Sequence, residues 1–182
     1  MAEAKFFRAW HHFFLLKRYG GVPIVTTVVD FNSPELYAAR NSRYQVMVQL
    51  LKDLSEAIPD LPVEQSIGSS DKGHISRWAA EAFKARVLLY EATWERYVGN
   101  STDGDGAGVG AGSAGAGSNV ETYLQEAITL ARDVMDNGGY ELWNYNSTLN
   151  NKSMFYLFNL EDSNSNPAGL DKTSNKEFIL AL

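Results

Sequence analysis

Apolar residues recur at helical spacing in four stretches of the chain, each bounded by its own start or stop signal. In the first, Phe7, Trp10 and Phe14 repeat at three and four residues, flanked by Phe6 and Phe13, and are read as the inward stripe. Lys17 and Arg18 lie in its last turn, where cations suit the negative end of the helix dipole, and Gly20-Gly21 ends it. The second opens on Ser42-Arg43-Tyr44-Gln45, a capping-box pattern, and carries Met47, Leu50, Leu51, Leu54 and Ile58 before Pro59 stops it. The third runs from about Ser76 to about Tyr97, with Ala79, Ala82 and Ala85 small enough to admit a neighbouring helix closely. The fourth starts at a second capping box, Ser118-Asn119-Val120-Glu121. It continues through Tyr123, Leu124, Ala127, Ile128, Ala131, Val134 and Met135 to a stop at Asn137-Gly138-Gly139.

These helices read as two copies of one unit. Leu54-Ser55-Glu56-Ala57-Ile58 returns as Leu124-Gln125-Glu126-Ala127-Ile128, each on the second helix of a pair. A helix pair cannot bury its apolar stripe alone, so repeated pairs predict an all-α, TPR-like helical-repeat solenoid, here with long loops. Within residues 20–41 the β-branched run Val22 to Val29 is expected to be extended and packed along the helices. Residues 99–118 hold 8 of the 15 glycines and read as a flexible, exposed insertion in a single domain spanning 1–182. From Tyr140 onward the pattern is irregular, with aromatic residues set among Asn and Ser. Both ends have the look of an internal piece. Ala2 to Phe7 is helical in pattern with no capping residue ahead of it, and Glu177 to Leu182 stops inside an apolar run.

Charge and composition narrow the function. Acidic residues outnumber basic ones 22 to 16 and no basic stripe is visible, which argues against a nucleic-acid partner. Cysteine is absent, which removes disulfides, thiolate zinc sites and thiol nucleophiles. No run approaches the length of a membrane-spanning helix.

The motif-like stretches lack their contexts. Gly110-Ala111-Gly112-Ser113-Ala114-Gly115 matches a dinucleotide-binding spacing but follows a helix, within a Gly/Ala/Ser tract. Asp103-Gly104-Asp105-Gly106 lacks the rest of a calcium loop. His11 and His12 point about 100° apart on a helix and cannot chelate one ion together, so no metal or cofactor is expected. Asp53/Glu56 and Glu91/Glu95 lie at helical spacing and read as solvated surface rather than as carboxylates opposed across a sugar. Aromatic rings remain. Trp94 and Tyr97, and Trp143 and Tyr145, are the less obviously buried ones; Trp143 and Tyr145 are the candidate carbohydrate-binding pair. A ring can stack on a sugar face while Asn144 and Asn146 bond its hydroxyls, although core packing is the commoner role of such rings.

The order of the segments adds a resemblance. Ala4-Lys5-Phe6-Phe7-Arg8-Ala9, followed by Tyr19-Gly20-Gly21-Val22-Pro23-Ile24-Val25, resembles the opening helix and turn of SusD/RagB proteins. Ala39-Arg40-Asn41-Ser42-Arg43, Asp53-Leu54 with Leu61-Pro62, and Gly73-His74-Ile75-Ser76 through Ala85-Arg86 to Leu89-Tyr90 are similar to later motifs in the same order. So are Gly139-Tyr140-Glu141-Leu142 and Asn175-Lys176-Glu177-Phe178-Ile179. His74 departs from the usual Arg, and Gln45 from the usual acid. The resemblance implies an internal fragment of a lipid-anchored outer-membrane protein, exposed at the cell surface and without catalytic activity. Such a protein binds glycans, or in some members peptides, for delivery to a TonB-dependent (SusC-like) transporter. A TPR-like protein-interaction module without a small ligand, or an all-α glycosidase, stays open from the residues alone.

Overall fold

Residues 1–98 and 119–179 are described by the computed structural model. Four long helices carry it: α1 (Ala2–Tyr19), α2 (Arg43–Ala57), α3 (Arg77–Val98) and α4 (Asn119–Asn137). A short α5 (Ser153–Leu157) lies in the stretch expected to be irregular, and among the described residues there is no strand. The fold is all-α. α1 packs on α2 and α3 on α4, while α2 touches α3 more lightly, so two antiparallel pairs stack side by side.

Local chemistry sets the helix ends. Ser42 Oγ accepts the Gln45 amide at 3.1 Å and Gln45 Oε1 accepts the Ser42 amide at 2.9 Å, the reciprocal box that starts α2. Gly20, at φ 71°, closes α1 with its amide on the Leu16 carbonyl. At the end of α4 a Cβ on Gly138 would sit 2.4 Å from the Val134 carbonyl oxygen, so the tight exit excludes a side chain. The Ser118 cap and the whole of 99–118, with its glycine motif and Asp103/Asp105, lie outside the described residues.

The main core joins all four helices. Phe6, Ala9, Phe13 and Leu16 of α1 meet Val46, Met47, Leu50, Leu54 and Ala57 of α2, with Ala80, Phe83, Val87 and Leu88 of α3 beyond. This corrects the α1 stripe. Phe7, Trp10 and Phe14 are 47%, 43% and 45% exposed, and the inward face is the adjacent one, with His12 also buried along it. On α4, Tyr123, Ala127 and Val134 are buried, whereas Ile128 and Met135 are exposed. Of the run after α1, Val22 is buried and Ile24 half-buried, held by Asn41 through two hydrogen bonds, but Val28 is fully exposed. Only the start of that run packs along the helices.

The repeated Leu-x-Glu-Ala-Ile sits on the second helix of each pair. Ala57 and Ala127 both face the core, and the Glu before each makes an ion pair to the first helix: Glu56 to Lys5 at 2.8 Å and Glu126 to Lys84 at 2.6 Å. A smaller cluster of Trp143, Leu149 and Leu160 organises the last forty residues.

Candidate functional site

The chain reverses after α4 and runs beneath its own C-terminal segment. The Trp143 amide donates to Glu177 Oε1 at 2.7 Å and its indole N–H to Ser174 Oγ at 2.9 Å. Tyr145 stands beside it, ring centroids 5.0 Å apart and tilted by 57°, and its amide donates to Ser153 Oγ at the start of α5. The two candidate rings are therefore neighbours, but not equals. Trp143 is 5% exposed and belongs to the interior, the commoner role for such a ring; Leu149 and Leu160 close over it. Tyr145 is half-buried. The Asn144 and Asn146 side-chain oxygens accept the amides of Asn146 and Ser153, so both are engaged in shaping the turn. The rings of the last forty residues that reach solvent are Phe155, Phe158 and Phe178, 62%, 82% and 62% exposed.

Beside this cluster a concavity of about 480 Å³ opens between the end of α4 and the last segment, lined by Val134, Met135, Tyr140, Glu141, Leu142, Glu177 and Ile179. It combines apolar walls with two carboxylates and a phenol. That mix suits a ligand with both hydroxyls and a nonpolar face. Glu141 lies 3.5 Å from Lys176, and Glu177 is the acceptor for the Trp143 amide, so the site and the small cluster share a wall.

Of the other candidate rings, Trp94 serves the frame and Tyr97 does not. Trp94 is half-buried, with the Arg43 guanidinium 4.2 Å from its ring centroid and Tyr90 stacked at 6.4 Å; Tyr97 is 80% exposed. Arg43, itself buried, grips Glu91 with its Nε 2.9 Å from Oε1 and its Nη2 2.6 Å from Oε2. Arg8 holds Asp53, which has no exposed surface, at 2.7 and 2.5 Å. Asp53 and Glu91 are thus not solvated surface, whereas Glu56 is exposed. One member of each helical carboxylate pair is a buried ion-pair partner, a role hidden in the sequence because its partner lies 45 or 48 residues away. Glu95, one turn beyond Glu91, is pushed up to about 7, first by burial and then by the Glu91 charge. No group of three metal-ligating side chains forms among the described residues.

No curated protein matches the sequence. A family described as starch-binding and associating with the outer membrane, SusD-like, matches residues 1–89. Over its full length the chain superposes on a SusD-like protein from Bacteroides fragilis with TM-score 0.60 and 23% identity, covering 26% of that chain. It superposes on the protein BT4246 with the same TM-score and 26% identity, covering 98% of this chain and 30% of that one. The SusD-like match thus covers just under half of the chain. A third structure, solved with a xylogluco-oligosaccharide, aligns with TM-score 0.52 and 24% identity over 99% of this chain and 28% of that one. The chain spans between a quarter and a third of the length of these solved structures.

Several residues that carry the SusD-like motifs are structural. Arg8 and Asp53 join α1 to α2, and Arg43 joins α2 to Glu91 of α3. His74, the departure from the family's Arg, still meets a carboxylate, with Nδ1 3.0 Å from Glu3 Oε1. The concavity beside α4 draws on both of the last motifs, through Tyr140, Glu141 and Leu142 and through Glu177 and Ile179. In the sequence these residues fall in two separate motifs, because 35 or more positions lie between the two walls.

Proposed function

We propose that this chain is a piece of a non-catalytic protein that binds glycans at the outer-membrane surface and passes them to a TonB-dependent transporter. The observation that carries the reading is the SusD-like match of residues 1–89 on a frame of stacked helix pairs. Within the chain, the glycan contact falls to the concavity beside α4 and to the half-exposed Tyr145. Trp143 acts as the buried ring behind it, fixing Tyr145 and, through Glu177, the shared wall.

One half-exposed ring and two carboxylates supply only a few kcal/mol before the entropic cost of association, which points to millimolar affinity or weaker for the 182-residue chain. Calorimetric titration of this chain, and of a longer protein that contains it, with one panel of neutral oligosaccharides tests the reading. The expected result is weak or no binding by the chain and clear binding by the longer protein. Failure of the longer protein to bind any glycan would instead favour a peptide ligand. Release of reducing sugar by either would contradict the non-catalytic assignment.

A further inference from the structure

A second concavity lies away from that site, between α1 and α3. Phe7, Trp10 and Phe14 leave nearly half their surface open, in a row that runs about 10 Å along α1. Phe83 of α3 forms the floor, stacked on Trp10 with centroids 4.8 Å apart and met edge-on by Phe13 at 5.7 Å. The hollow between them, about 160 Å³, is lined by Trp10, Phe13, Phe14, Lys17, Phe83 and Arg86.

Every charged group in that lining is a cation. Arg18 stands beside it, its guanidinium 4.3 Å from the Phe14 centroid, and Lys17 Nζ lies 4.7 Å from the Phe13 centroid. Among the described residues none of Lys17, Arg18 and Arg86 forms an ion pair with a carboxylate, while Lys5, Arg8, Arg43, Lys72, Lys84 and Lys176 all do. The helix dipole accounts for Lys17 and Arg18 in the last turn of α1, but Arg86 lies inside α3, far from its C-terminus. A cluster of uncompensated cations on a chain of net charge -6 is a local reversal of the molecule's field.

The lining contains no amide, hydroxyl or carboxylate side chain, so a sugar would find rings there but few partners for its hydroxyls. Trp, Phe and Arg around an apolar hollow are instead the residue types that dominate protein interfaces. We propose that the α1–α3 groove docks a segment of a partner protein in which an apolar or aromatic anchor is flanked by Asp or Glu. The anchor would fill the hollow over Phe83, and its acidic neighbours would meet Lys17, Arg18 and Arg86. This assignment does not depend on the glycan reading.

The test uses two fluorescein-labelled twelve-residue peptides with the same central Leu-Trp-Phe, one flanked by Asp and Glu and the other by Lys and Arg. Their anisotropy is followed on titration with the 182-residue chain at low salt. The acidic peptide is expected to bind at least tenfold more tightly than the basic one. Lys17→Glu with Arg86→Glu should abolish or reverse that preference, and Trp10→Ala should weaken binding at least tenfold. All three side chains are exposed or half-exposed, and circular dichroism checks that each variant keeps its helices. Equal binding of the two peptides, binding unaffected by the charge reversal, or no binding of either would overturn the proposal. So would an oligogalacturonide that competes with the acidic peptide and shows the same residue dependence, because the groove would then be a site for acidic sugar.

Discussion

At the residue scale, Arg43 concentrates three roles in one side chain: it neutralises Glu91, donates Nη1 to the Leu16 carbonyl of α1, and covers the Trp94 ring. Removing it would leave Glu91 charged, buried and unpaired, a loss that typically costs about 3–5 kcal/mol. Arg43→Met should therefore lower stability by that amount in urea denaturation. The double change with Glu91→Met should recover most of it, since two apolar groups can replace a buried pair. Glu95 gives a pH signature. Its carboxyl is raised from 4.5 to about 7 in the folded chain. Between those values the folded state holds more protons than the unfolded one, so stability falls as pH rises through the window and levels off above it. The urea midpoint should thus be lower at about pH 8 than at about pH 5. Glu95→Gln should remove part of that drop; Glu81 and Glu91, which burial also raises, add to it, and His12, which burial lowers, opposes it.

At the scale of elements, the periodicity and caps located the four helices closely, because those signals are local and the Ser42 box and Gly20 stop operate within a few residues. Which face of α1 turns inward was not legible. Both faces are apolar, and the choice depends on Phe83 and Tyr90 of α3, far along the chain, which meet Phe6 and Phe13 edge-on. The large rings of Phe7, Trp10 and Phe14 drew attention from the true stripe, whose Ala9 and His12 look unremarkable in sequence. Truncation separates the two faces. Phe6→Ala, at a position 1% exposed, should cost about 3–5 kcal/mol, and Phe7→Ala well under half of that, as read from paired thermal or urea unfolding curves. The candidate site was less legible still. Tyr145 and Trp143 do stand together, yet the burial of Trp143 is set by Leu149, Leu160 and Ser174, none of which its local pattern reveals.

Across the whole molecule, the described residues divide between the helical core and the small cluster around Trp143, with Ile179 of the last segment packed against the former. Local opening follows such divisions. Trp143→Ala should therefore strip amide protection from residues 140–179 in hydrogen exchange while leaving α1, α2 and α3 protected. The placement of the four tryptophans has a spectroscopic consequence. Trp10 lies on the α1–α3 seam, Trp78 donates its indole N–H to Gln65, Trp94 sits under Arg43, and Trp143 anchors the small cluster. Each distinct neighbourhood has its own native chromophore. Fluorine-labelled tryptophan would give four resonances, one for the docking groove, one for the loop before α3, one for the buried ion pair and one for the wall of the candidate glycan site. A ligand's address on the molecule could then be read from which signal moves.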